Sequence, residues 1–432
     1  MDKSSRKVAL CLVLVCMLFG LACSKKTPTA TPGESGLSSK RLERIDSAIQ
    51  KTISERRIAG AVALVARRGK VVYLKAFGMA DRETFRPMRT DNIFRICSMT
   101  KPITSVAVMI LYEEGRFMLS EPVADFIPEF KSMKVMDPPY PQDATSPQSA
   151  LVDAKRPITI LHLLTHTSGL TYQWNPRLGK LYRKAGVGSG LLQQEGTIGA
   201  AVKKLAGLPL LFQPGDAWEY SLADDVLGYL VEVVSGVPLD RFFEERIFKP
   251  LGMGDTHFYL PEKKISRLAT AYTFYPGKGL LRFPDKPIVE GDFSYSADYP
   301  FRGPGTFFSG GTGLSTTAED YFRFCQMMLN NGELRGTRLL SRKSVELIKL
   351  NHVQGKLEGE GYGLGFGVNT EPKFLTELGT VGSFFWGGFF YTSFVVDPKE
   401  EMIAIFMGQL HPSGGLNLDQ KVLRLAYQAI ID

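Results

Sequence analysis

The stretch Ile93-Phe94-Arg95-Ile96-Cys97-Ser98-Met99-Thr100-Lys101-Pro102 leads from a short apolar run into a helix that Gly115 ends. Ser98 and Lys101 are three residues apart, so they lie on one face of that helix. Pro102 lacks a backbone N–H and must lie in the first turn, which places Ser98 at the N-terminus. There the helix dipole favours developing negative charge. The spacing predicts a nucleophilic serine whose proton Lys101 accepts, provided that burial lowers the pKa of Lys101.

Two later segments carry further candidate site residues. Glu219-Tyr220-Ser221-Leu222 precedes a predicted helix, and a tyrosine at such a junction can direct its phenol into a cleft. Ser383-Phe384-Phe385-Trp386-Gly387-Gly388-Phe389 has two glycines within β-rich sequence, which indicates close approach of a ligand to the backbone. Taken singly, each motif has a simpler structural explanation: a capping serine, a half-buried core tyrosine and a β-bulge.

Taken together and in this order, the three motifs resemble the serine β-lactamase and penicillin-binding protein superfamily. The sequence is most similar to class C β-lactamases and to the β-lactamase-like carboxylesterases often called family VIII. The resemblance covers residues 40–432. It extends to Leu163-Leu164-Thr165-His166-Thr167-Ser168-Gly169-Leu170, Leu251-Gly252-Met253-Gly254-Asp255-Thr256, Ser309-Gly310-Gly311-Thr312-Gly313-Leu314 and Val396-Asp397-Pro398.

The resemblance implies a role for each matching residue. Ser98 matches the acylated nucleophile, and Lys101 matches its partner base. Tyr220 matches the residue that helps to deprotonate Ser98 and later activates water. The backbone N–H groups of Ser98 and Phe389 match the oxyanion hole. The implied reaction is a two-step acyl transfer through an acyl-enzyme, with no metal and no cofactor.

Two departures from the family pattern concern the substrate. Where β-lactamases and transpeptidases have Lys or His, then Thr or Ser, then Gly, this chain has Trp386, Gly387 and Gly388, which cannot clamp a carboxylate. Leu222 stands where an asparagine usually holds a substrate amide. These four positions are predicted to bind a small neutral ester. The alternatives are a β-lactamase or D-amino-acid peptidase, and a non-catalytic binding protein on the same fold.

Two other enzyme classes are disfavoured by the sequence. A Ser-His-Asp hydrolase of the α/β type needs a Gly-x-Ser-x-Gly elbow, and no serine here has both glycines. His162 and His166 have the spacing of a metal-ligand pair on a helix, but Leu163 stands where a zinc protease has glutamate. The five histidines are therefore interpreted as structural.

The order of predicted elements indicates an α/β (α+β) fold. A helix at 40–57 and a hairpin at 61–77 come first, and β-rich segments at 362–408 precede a last helix at 419–431, which Asp419 is placed to cap. We therefore expect one antiparallel sheet, flanked by helices and built from both ends of the chain. A mainly helical region, roughly 105–255, is inserted in it. Residues 136–157 and 274–303 are predicted to be loops.

The N-terminal residues have the pattern of an export signal. Three basic residues precede an apolar run at 8–22, which is too short to span a bilayer comfortably. Cys23 follows directly, as at a bacterial lipoprotein cleavage site, although Gly20 stands where an aliphatic residue is usual. We expect a signal peptide at 1–22, lipidation of Cys23 and a tether at 23–39. The expected location is the bacterial cell envelope, with membrane contact through that anchor alone.

Composition limits the remaining classes. Of the 432 residues, 44% are hydrophobic and 22% charged, which supports a sizeable core and excludes wholesale disorder. The net charge of +8 is spread without a basic stripe, so a nucleic-acid partner is not expected. Five cysteines exclude a disulfide scaffold, and the two outside the leader, Cys97 and Cys325, are predicted to be buried free thiols. The sequence does not indicate an oligomeric state.

Overall fold

The structure is a computed structural model that describes residues 27–137, 151–192, 194–290, 293–357, 359–370 and 377–432. The predicted signal peptide at 1–22 and the lipidation site Cys23 lie outside the described residues, as do residues 138–150 of the first predicted loop. None of the helices in the described part is long and apolar enough to cross a membrane.

Eighteen strands are present in the described residues. They are β1 Gly60–Arg67, β2 Lys70–Asp81, β3 Arg86–Pro87, β4 Phe94–Arg95, β5 Lys134–Met136, β6 Leu151–Asp153, β7 Tyr272–Tyr275, β8 Gly279–Arg282, β9 Ile288–Glu290, β10 Phe293–Tyr295, β11 Ser315–Thr316, β12 Glu333–Leu334, β13 Thr337–Arg338, β14 Gly361–Tyr362, β15 Gly367–Val368, β16 Phe384–Gly388, β17 Thr392–Asp397 and β18 Met402–Met407.

The α-helices of the same residues flank these strands. They are α1 Ser39–Ser54, α2 Thr100–Glu113, α3 Ile160–Leu164, α4 Gly179–Lys184, α5 Ile198–Ala206, α6 Ala223–Ser235, α7 Leu239–Phe243, α8 Lys249–Leu251, α9 Glu262–Ile265, α10 Ala318–Leu329, α11 Arg342–Ile348 and α12 Leu418–Gln428. A π-helical turn, Glu244–Phe248, joins α7 to α8.

The main sheet has eight antiparallel strands in the order β14-β15-β16-β17-β18-β1-β2-β3. β1 from the start of the chain pairs with β18 from its end, with Val62 opposite Met407. This arrangement confirms the predicted sheet built from both ends of the chain. Every residue of β1 is buried, because both faces of the sheet are covered by helices.

The two faces of the sheet carry separate hydrophobic cores. Ala61, Ala63 and Val65 of β1 face α1 and α12, in a core that includes Ile45 and Val422. The alternate residues of β1 face the other side, where α2, α6 and α10 pack. The mainly helical region lies between β4 and β7. This region packs on the same face of the sheet as α2, the helix that follows Ser98.

Three expectations about local structure are wrong. Residues 27–38 of the predicted tether lie against the domain: the backbone of Ala30 bonds Val71, and Leu37 is buried. Residues 274–303 hold two short hairpins, β7–β8 and β9–β10, whose strands are too short to show a period in the sequence. Asp419 lies inside the first turn of α12, and the hydroxyl of Tyr391 accepts the Leu418 N–H instead.

The cysteine prediction is confirmed for the described residues. Cys97 and Cys325 are free and buried. They belong to separate parts of the core, Cys97 beside Phe390 and Cys325 on α10, and burial raises the pKa of the Cys97 thiol to about 11. Both thiols are therefore unreactive at neutral pH.

Candidate active site

Ser98 lies in a short 3₁₀ turn, Cys97–Met99, directly before α2. Ile96 and Met99 on either side are fully buried, whereas Ser98 is partly exposed. The main chain of the turn is held from outside, since the hydroxyl of Tyr321 donates to Met99 O at 3.0 Å. Pro102 lies in the first turn of α2, as predicted. The serine is thus presented on an anchored backbone at a helix N-terminus.

Lys101 is completely buried beneath Ser98. Its Nζ donates to Gly311 O at 2.8 Å and to Tyr172 Oη at 3.0 Å, and lies 3.5 Å from Ser98 Oγ. Burial lowers the pKa of Lys101, but two neighbouring phenols and Asp224 outweigh it, so the pKa lies above the usual range. The predicted condition for a basic Lys101, a lowered pKa, is not met. The resting lysine is a cation and a hydrogen-bond donor.

Tyr220 approaches the same point from the loop that precedes α6. Lys101 Nζ lies 4.6 Å from the centroid of its ring, and Trp386 Nε1 donates to its Oη at 3.4 Å. The phenol is half-buried and lines the same cavity as Ser98. The structure therefore brings together four predicted site residues, Ser98, Lys101, Tyr220 and Trp386, from three distant segments.

The end of β16 lies against the backbone that precedes Ser98. A Cβ atom at Gly388 would overlap the carbonyl oxygen of Ile96 and Oγ1 of Thr392. Two residues further on, the backbone of Phe390 hydrogen-bonds the Cys97 thiol. Only glycine at 388 allows this approach, which brings Phe389 to the wall of the cavity that contains Ser98.

Replacing Gly388 by alanine tests this close approach. The added methyl group would force β16 away from Ile96 O and so shift Phe389 along the wall of the cavity that contains Ser98. We expect kcat to fall by about 10²–10³-fold, because the resemblance implies that the backbone N–H of Phe389 is an oxyanion-hole donor. Ester hydrolysis by the purified variant measures it. Gly254→Ala, where a Cβ meets nothing within 4 Å, is the control. Unchanged kcat in Gly388→Ala would contradict the packing argument.

Leu222 does not have the predicted position. It is 1% exposed, its side chain belongs to the hydrophobic core, and it does not line the cavity. The reason is that Leu222 is the N-cap residue of α6, whose packing against α2 turns this side chain inward. Trp386, Gly387 and Phe389 do line the cavity, whereas Gly388, which packs against the backbone of Ile96, does not.

The cavity beside Ser98 has a volume of about 600 Å³. Around the serine its wall is largely aromatic, with Tyr172 and Trp174 stacked at 4.0 Å between ring centroids. Arg424 and Glu377, which also line the cavity, form an ion pair. The cavity therefore offers apolar surface to the substrate near the nucleophile.

Tyr172 was not predicted from the sequence, because it belongs to none of the motifs described above. It is fully buried and is the nearest side-chain partner of Lys101. Tyr172 follows the segment 163–170 by two residues, and that segment resembles the superfamily. This proximity is the signal that could have identified it. Tyr172 holds the lysine in place.

The two histidines with metal-ligand spacing have separate structural partners. His162 Nδ1 accepts the Thr159 N–H and caps α3, while His166 Nδ1 lies 3.1 Å from Ser221 Oγ. Across the described residues, no group of three His, Cys, Asp or Glu side chains is arranged to hold a metal ion.

A partly exposed serine at a helix N-terminus, a buried lysine and a tyrosine that meet at an aromatic cavity define a serine hydrolase. The chain belongs to the Beta-lactamase family, whose model matches residues 45–428.

Similar proteins include esterases. Esterase EstB of Burkholderia gladioli is 35% identical over 364 residues, covering 82% of this chain and 86% of that protein. Protein Rv1367c of Mycobacterium tuberculosis is 34% identical over 371 residues, with the same shares. Among solved structures, EstCE1, a hydrolase with promiscuous acyltransferase activity, has a TM-score of 0.77 and 27% identity, covering 91% of this chain and 99% of that one.

Proposed function

We propose that this protein hydrolyses small neutral carboxylic esters through an acyl-enzyme on Ser98. The observation that carries the proposal is the neutral aromatic wall around the serine, where Trp386 and Gly387 replace a cationic and hydroxyl clamp. Within the described lining of the cavity, the exposed cation Arg424 is paired with Glu377. The similarity to Esterase EstB supports the same conclusion.

In the acylation step, Ser98 Oγ attacks the ester carbonyl carbon while its proton passes to Tyr220 Oη, which accepts it as the phenolate, with the negative charge offset by the nearby Lys101 cation. The backbone N–H groups of Ser98 and Phe389 bind the oxyanion, and collapse of the tetrahedral intermediate breaks the bond to the alkoxide, which takes the proton from Tyr220. In the deacylation step, water attacks the acyl carbonyl carbon while Tyr220 Oη accepts its proton. Tyr220 then returns a proton to Ser98 Oγ as the bond between Oγ and the acyl group breaks. Ser98 regains its proton, and the carboxylic acid leaves.

Lys101 acts in this mechanism as a fixed cation. Its hydrogen bonds to Gly311 and Tyr172 hold Nζ below the serine, 3.5 Å from Oγ and 4.6 Å from the Tyr220 ring. From there its charge stabilises the negative charge that develops on the serine and phenol oxygens while the proton moves between them. The base is therefore Tyr220, and Lys101 supplies the electrostatic support.

A comparison of two chromogenic substrates tests the substrate class. We expect kcat/KM for p-nitrophenyl butyrate to exceed that for a chromogenic cephalosporin by at least about 10²-fold. A substrate amide and carboxylate left unpaired against this wall cost about 1–3 kcal/mol each. Purified protein and initial rates suffice for the measurement.

The alternatives predict different outcomes of the same comparison. Faster turnover of the cephalosporin would identify a β-lactamase and contradict the substrate argument. Turnover of neither substrate, together with no covalent labelling of Ser98 by a fluorophosphonate, would identify a binding protein on a hydrolase fold.

A further inference from the structure

His166 is buried directly behind Tyr220 and has no part in the steps above. It is 1% exposed and does not line the cavity. Its ring centroid lies 4.8 Å from that of Tyr220, with the two planes tilted by 60°. The imidazole therefore forms a wall behind the phenol, on the side away from the substrate.

His166 also holds the chain on both sides of Tyr220. The N–H of Glu219, the residue before the tyrosine, donates to His166 O at 2.9 Å. The hydroxyl of Ser221, the residue after it, lies 3.1 Å from His166 Nδ1. His166 thus fixes Tyr220 in three ways. Its imidazole packs against the phenol ring, its carbonyl oxygen accepts the Glu219 N–H, and its Nδ1 faces the Ser221 hydroxyl.

Asp224 completes this arrangement from the first turn of α6. Its Oδ2 lies 3.3 Å from His166 Nε2, both side chains are at most 2% exposed, and neither atom has another hydrogen-bond partner in the described residues. Burial, reinforced by the Lys101 cation, lowers the pKa of His166 well below its usual range, so the imidazole is neutral. A neutral imidazole has one donor and one acceptor. Burial raises the pKa of Asp224 to about 7. In its ionised form, Asp224 assigns the donor to Nε2 and leaves Nδ1 to accept from Ser221.

We propose that His166 and Asp224 form a positioning pair that holds Tyr220 within reach of Ser98. Asp224 fixes the tautomer and the plane of the imidazole, and the imidazole fixes the Tyr220 segment. Neither residue contacts the cavity, so the pair affects the proton transfer and leaves substrate binding unchanged. The inference rests on the proposed role of Tyr220 as the base.

Two substitutions at Asp224 separate positioning from packing. Asp224→Asn keeps an oxygen that accepts from Nε2–H, whereas Asp224→Leu has similar bulk and no acceptor. We expect Asp224→Leu to lower kcat by about 10²-fold and to leave KM within about twofold of the wild-type value. Displacing the base slows the proton transfer but does not weaken substrate binding. Asp224→Asn is expected to recover most of the lost kcat. Rates are expressed per folded molecule, with folding measured by circular dichroism.

Asp320 provides a matched control, because it is a buried carboxylate on α10 that bonds Thr256 and the backbone of Asp255. Asp320→Asn is expected to lower the melting temperature and to leave kcat per folded molecule unchanged. A second variant, Ser221→Ala, removes the hydroxyl that faces Nδ1 and places no new bulk in the core. We expect it to lower kcat by about tenfold at constant KM.

Three outcomes would overturn the positioning pair. The first is an unchanged kcat in Asp224→Leu and Ser221→Ala. The second is a fall in kcat/KM that comes entirely from a higher KM. The third is an equal fall in kcat in Asp224→Asn and Asp224→Leu. The wild-type enzyme is assayed in parallel for ester turnover and for labelling of Ser98 by a fluorophosphonate. A wild type inactive in both assays would overturn the proposed function as well, whereas an active wild type with unimpaired variants overturns the pair alone.

Discussion

Replacing Ser98 by alanine is expected to lower kcat/KM for p-nitrophenyl butyrate by at least about 10⁵-fold, the scale reached when a catalytic serine is removed. The change deletes one oxygen atom that is partly exposed in the cavity. No covalent intermediate can then form, so the variant also loses labelling by a fluorophosphonate. Initial rates and mass spectrometry of the labelled protein measure both effects.

The fold is expected to survive this substitution. Ser98 Oγ has one long contact with Lys101, at 3.5 Å, and the lysine keeps its bonds to Tyr172 and Gly311. The melting temperature should therefore change little. Ser105→Ala is the matched control, since Ser105 is a buried serine on the same helix whose Oγ has no hydrogen-bond partner in the described residues. Residual turnover in Ser98→Ala above a tenth of the wild-type rate would contradict the assignment of the nucleophile.

Replacing Tyr220 by phenylalanine is expected to lower kcat by about 10³-fold, within the range that general acid–base catalysis contributes. The ring keeps its packing against Lys101, His166 and Trp386, and the one lost hydrogen bond is the long one, 3.4 Å, from Trp386 Nε1. KM should stay within about threefold, because the hydroxyl acts on the proton rather than on the bound ester. Steady-state kinetics at saturating ester measure both constants.

Tyr229→Phe serves as the control for this variant. Tyr229 is a half-buried tyrosine on α6, the helix that follows Tyr220, and it packs over Gly199 away from the cavity. Its kinetics should match the wild type. A Tyr220→Phe enzyme with undiminished kcat would show that Lys101, despite its raised pKa, is the base.

The features that could be predicted from the sequence are those that depend on local stereochemistry. The missing N–H of Pro102 restricts it to the first turn of a helix, and that constraint placed Ser98 correctly. The features that could not be predicted depend on distant partners. The pKa of Lys101 is raised by groups that include Tyr172 and Asp224, far along the chain. The inward direction of Leu222 follows from the docking of α6 on α2, which no local pattern encodes.

The position of β1 in the sheet has a consequence for how the chain folds. During synthesis β2 follows β1 directly and can pair with it, but the other edge of β1 stays unpaired until β18, the last strand of the described residues, has been made. Contacts between such distant residues slow folding, and an unpaired apolar edge invites aggregation in the meantime. The sheet therefore cannot close on both sides of β1 until β18 has been synthesised.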